Sequence, residues 1–84
     1  MAKHSHRFVE TFDGILGYGL DRLSNEHTVH VYLQKFSDDY LMKAILNRMT
    51  DDDLTEVFEL ITKMLKKYLT DPEYHQLFLK EEEP

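Results

Sequence analysis

From Asp51 to Leu69 apolar residues recur every three or four positions. A chain with such a segment is committed to an amphipathic helix and to something that covers its apolar side. Projected at about 100° per residue, Leu54, Val57, Phe58, Ile61, Leu65, Tyr68 and Leu69 fall on one arc of about 120°. Thr50 stands where an N-cap belongs. Asp51, Asp52 and Asp53 complement the positive end of the helix dipole, and Lys66 and Lys67 complement the other. Leu60 and Met64 lie outside the inward arc and widen the apolar sector to roughly half the circumference.

The rest of the chain reads as further helices. Over residues 6–23, Phe8, Val9, Phe12, Ile15, Leu16, Leu20 and Leu23 share one side, which predicts an amphipathic helix with Ser5 as its cap. All three glycines, Gly14, Gly17 and Gly19, fall inside it, and each costs about 1 kcal/mol relative to alanine in a helix interior. A hinge near Gly17-Tyr18-Gly19 is therefore the alternative, and Gly19, on the apolar side, is the one placed to admit a neighbouring helix. Ser24-Asn25 reads as a cap pair, after which Val29, Leu33 and Phe36 recur at helical spacing with Tyr32 alongside. The same stretch alternates as Val29, Val31, Leu33, so one short strand near 28–34 competes with helix there. Ser37-Asp38-Asp39 opens another helix with Leu41, Met42, Ile45, Leu46 and Met49 on its apolar side. Asp71 and Pro72 restart the chain as a short closing helix with Tyr74, Leu77 and Phe78 inward. The expected fold is all-α, a compact bundle of about four to five short helices forming a single domain over 1–84, with 1–5 and 80–84 frayed.

Composition narrows the function. The 84 residues contain no cysteine, so neither disulfides nor a zinc-thiolate cluster can staple the fold. No apolar run approaches the roughly 20 residues of a bilayer span, and the basic start at Lys3 and Arg7 leads into Glu10 and Asp13 rather than a signal-peptide core. A cytoplasmic location follows as the expectation. Residues 1–50 carry six basic and six acidic side chains, whereas 51–84 carry four basic and ten acidic, the entire net charge of −6. An acidic third repels phosphate backbones and anionic membranes, so neither nucleic acid nor membrane is the expected partner.

The motifs that would carry chemistry are incomplete. Gly14-Ile15-Leu16-Gly17-Tyr18-Gly19 has glycines in the reverse order of a dinucleotide loop and no lysine of a phosphate loop after it. Asp51-Asp52-Asp53 would open a calcium loop only with glycine and glutamate at its sixth and twelfth positions, which hold Glu56 and Thr62. His27 and His30, three apart and with Glu26 four before His30, share a helical side. A metal site would need further ligands there, and the pair otherwise reads as solvated surface residues. Ser5, Ser24 and Ser37 read as caps rather than nucleophiles, and the carboxylates project to solvent, where nothing raises their pKa for acid catalysis. The sequence predicts no enzyme, no cofactor and no resident metal.

What remains is a small non-catalytic helical protein-interaction module, a homodimer or the accessory or regulatory subunit of a complex. Its partner surface would hold Leu60, Met64 and Tyr74. A second possibility has the closing helix fold back over Leu60 and Met64 and bury them within the chain. The alternatives from other classes are a helical DNA-binding regulator and a metal or pH sensor using His27 and His30.

Overall fold

Asp21, Asp38, Thr50 and Thr70 each accept a backbone N–H from two or three residues ahead, and each opens a helix. The computed structural model describes residues 4–81. Among them the order is α1 (Arg7–Thr11), α2 (Arg22–Phe36), α3 (Asp39–Ile45) running into a tight turn at Leu46–Arg48, α4 (Asp51–Tyr68), and α5 (Asp71–Glu73), which widens into a π-type turn at Tyr74–Phe78. The fold is all-α, with no strand among the described residues; the stretch 28–34 is interior to α2. The packing divides into two compact units, Met1–Arg48 and Met49–Pro84, and each is described by itself.

In the first unit α1 packs on α2, and α2 on α3. The expected helix over 6–23 is only a single turn and a half: α1 ends at Thr11, and the chain runs irregularly through all three glycines until α2 begins at Arg22. The break falls before the glycines rather than at Gly17. Gly19 has φ +99°, the left-handed region that glycine enters without a steric penalty, and an added Cβ would meet nothing within 4 Å. Its role is therefore the turn, not close helix approach. Two side chains of α2 hold the irregular segment: Thr28 Oγ1 accepts the Gly17 N–H (3.0 Å), and Asn25 Oδ1 accepts that of Gly19 (2.7 Å).

The caps are shifted from those expected. Asp21, not Ser24-Asn25, caps α2, taking the Ser24 N–H at 2.8 Å, and Ser24 itself lies in the first turn. His6 occupies the N-cap position of α1 without a side-chain capping bond, while the Ser5 N–H donates to Asp38 Oδ1 (3.0 Å). Asp38 also caps α3 through the Tyr40 N–H (3.1 Å). It is buried, tying the N-terminal segment to the α2–α3 corner. The one buried apolar side chain of the described chain is Val31, 2% exposed, next to buried Thr28. Burying a valine contributes about 1.5 to 3 kcal/mol, so the polar ties carry much of this unit's definition.

In the second unit Thr50 and Asp53 form a capping box. Thr50 Oγ1 accepts the Asp53 N–H and Asp53 Oδ2 accepts the Thr50 N–H, each at 3.1 Å. Thr70 and Glu73 repeat it at the next start, so Thr70 rather than Asp71 is the cap, with Asp71 and Pro72 in the first turn. The closing turn stacks Tyr74 on Phe78 with ring centroids 5.3 Å apart, and His75 Nδ1 lies 2.8 Å from Glu81 Oε1.

Candidate functional site

The capping box fixes the start of α4, and the leucine-rich, lysine-bearing interior continues it for 18 residues, about 27 Å. No side chain of this helix is buried. Phe58 is 68% exposed, Leu60 57%, Ile61 47% and Met64 38%; only Val57, Thr62 and Leu65 are half-covered. The side that a helix of this pattern buries is half-covered at Val57 and Leu65 and exposed at Phe58, Ile61 and Tyr68.

Leu60 and Met64, four residues apart, share one flank of α4. Tyr74 does not join them. It lines a groove of about 340 Å³ with Asp71 and with Thr62, Leu65, Lys66 and Leu69, which by helical position lie on the side of α4 away from Leu60. Leu77 and Phe78 are about half exposed, and Leu60 and Met64 remain uncovered, so the closing segment does not fold back over that pair.

Charge along α4 is divided by end. Asp51, Asp52, Asp53, Glu56 and Glu59 occupy its first half with no basic residue among them; Lys63, Lys66 and Lys67 occupy its second half with no acidic one. No ion pair within 4.0 Å joins these groups among the described residues, and Lys67 Nζ lies 5.3 Å from the centre of the Tyr68 ring.

The first unit carries a second open apolar face. Val29, Tyr32, Leu33 and Phe36 point outward from α2 and, with Leu16 and Tyr18, line a groove of about 510 Å³. The inward side of α2 is His27, Thr28, Val31 and Gln34, where α1 lies. Apolar residues occur around most of α2, so their spacing alone does not pick a side. Val31 and Thr28, three apart and small, were the available signal for where another helix could approach.

His27 is half-buried, whereas His30 is exposed with one face of its ring covered. The His30 ring stacks on Phe8 with centroids 3.9 Å apart and planes 8° from parallel, and His27 meets Phe12 at 5.0 Å. Gln34 Nε2 lies 3.0 Å from His30 Nε2, while its Oε1 accepts the Val9 N–H at 2.8 Å. The His30 imidazole packs flat on α1, and His27 meets Phe12, the C-cap residue of α1, with the ring planes tilted by 57°. No three His, Asp or Glu side chains among the described residues converge as metal ligands would. His4 and His6 are likewise engaged, His4 Nδ1 with Glu10 (2.6 Å) and His6 Nε2 with Ser37 Oγ (2.9 Å).

No helix among the described residues is long and apolar enough to cross a membrane. Compared with models of protein families, with characterised proteins and with solved structures, the chain matches none.

Proposed function

We propose that this chain is a small, non-catalytic, helical protein-interaction module of the cytoplasm, working as a homodimer or as an accessory subunit. Its binding element is the apolar side of α4, with Leu60 and Met64 on the working flank. One observation carries the reading: an 18-residue helix with a continuous apolar sector has no buried side chain. An apolar stripe of this extent is stable in water only when covered. Tyr74 belongs to the proposed surface through the adjoining groove on the other flank, not through contact with Leu60. The excess of acidic residues in 51–84 favours a protein over a nucleic acid or an anionic membrane as the partner.

The test is retention from native cell extract on the immobilised protein, comparing the wild-type chain with Leu60→Glu. A glutamate on this flank would have to be desolvated on binding, so the variant should lose whatever the wild type retains, a second copy or another protein, while keeping its helix content. Undiminished retention by Leu60→Glu would remove α4 from the binding role.

A further inference from the structure

The ends of α4 carry opposite charge, and its apolar positions follow a second regularity. Leu54, Val57, Ile61, Met64 and Tyr68 are spaced by three, four, three and four residues, the seam of a two-stranded coiled coil. We propose that the occupant of this face is a second copy of the chain, its α4 laid antiparallel across the first about a two-fold axis beside Leu60. The proposal rests on the interaction reading above and specifies the partner and its orientation.

Charge decides between the two ways of pairing identical helices. In a parallel pair Asp51, Asp52 and Asp53 of both copies would crowd at one end, with Lys63, Lys66 and Lys67 of both at the other. Antiparallel pairing sets each acidic half against a basic half and opposes the helix dipoles. The flank that carries Leu60 shows the match residue by residue. Asp53, Leu60 and Lys67 are seven apart and so lie in one column beside the seam. A two-fold axis at Leu60 brings Leu60 against Leu60 of the partner subunit and Asp53 to Lys67 of the partner subunit. Such an interface is self-complementary, as a two-fold dimer requires. The acidic and basic groups involved form no ion pair within their own helix, so the pairing displaces none. The first unit offers no comparable match, because the exposed face of α2 carries Arg22, Glu26 and Lys35 interspersed.

The seam spans 15 residues, about two heptads, short of the three to four that sustain a long coiled coil. The pair should therefore exchange with monomer in the micromolar range and weaken with added salt.

Cross-linking tests the orientation directly, since the chain has no cysteine of its own. Full-length Asp53→Cys and Lys67→Cys variants, distinguishable by mass, are mixed and treated with a short bifunctional maleimide. The antiparallel pair predicts coupling of Cys at 53 to Cys at 67 and little coupling of either variant with itself, because like positions then lie about 20 Å apart along the axis. Because Asp53 also closes the cap of α4, helix content of the Asp53→Cys variant is checked against the wild type before mixing. Self-coupling of Asp53→Cys would overturn the proposal in favour of parallel helices. Absence of coupling, in a protein whose self-association Leu60→Glu abolishes, would overturn the orientation and leave the interaction reading standing. A wild type monomeric at all concentrations would overturn the second copy as occupant, leaving the face to another protein. Self-association indifferent to Leu60→Glu would overturn both readings.

Discussion

Asp38 shows how a single side chain can do more than its local motif indicates. The run Ser37-Asp38-Asp39 marks a helix start, and Asp38 does cap α3. Its other oxygen takes the Ser5 N–H from 33 residues away, a contact that no local pattern encodes. Asp38→Ala should therefore cost more than the loss of a cap alone, about 2 kcal/mol, and should loosen the N-terminal segment in amide exchange. At Gly19 the cost is conformational: with φ at +99° and open space around it, Gly19→Ala should destabilise by about 1 to 2 kcal/mol despite meeting no neighbour. Two exposed carboxylates report on the helix starts. The Ser24 backbone N–H, helped by the Ser24 side chain and the charge of His27, holds the Asp21 carboxyl below its ordinary range. The Thr70 backbone N–H and hydroxyl do the same for Glu73. A carboxyl whose pKa is lower folded than unfolded stabilises the fold while ionised, so the contribution is present above the unfolded value and disappears as pH falls through the folded one. Helix content should accordingly fall below about pH 4, and Asp21→Asn should blunt that loss.

At the scale of the element, α4 was legible because every signal agreed: periodicity, a capping threonine, acidic residues first and basic residues last. Its observed span differs from the expected one only at Leu69, which is the C-cap. Residues 6–23 misled because periodicity counts apolar positions without weighing what lies between them. Three glycines removed enough helix propensity for Phe12 to leave the helix, and polar ties from Thr28 and Asn25 then satisfied the irregular backbone at Gly17 and Gly19. α2 was legible as a helix but not in its orientation. Its apolar residues surround it, and the side chosen for burial was set by α1, through ring stacking of Phe8 on His30 that no spacing rule anticipates. The Thr50 cap should matter in proportion to the exposure of α4: Thr50→Ala removes one bond of the capping box and should cost about 1 kcal/mol, read as lower helix content in the isolated protein and restored by association.

For the molecule as a whole, the flank bearing Leu60 and Met64 was legible from the width of the apolar sector. The position of Tyr74 was not, because it depends on how the chain turns after Leu69. Nor was the open face of α2, which belongs to a unit whose only buried apolar side chain among the described residues is Val31. A chain that leaves this much of α4 uncovered should gain stability from any partner in proportion to its concentration. Light scattering over a concentration series, on the wild type and on Leu60→Glu, puts the central claim to the most direct test. The wild type is expected to show a mass that rises with concentration toward two copies, and Leu60→Glu a folded monomer throughout with unchanged helix content. Wild type and Leu60→Glu giving the same mass at every concentration, with equal thermal stability, would contradict it and leave the α4 flank as ordinary exposed apolar surface.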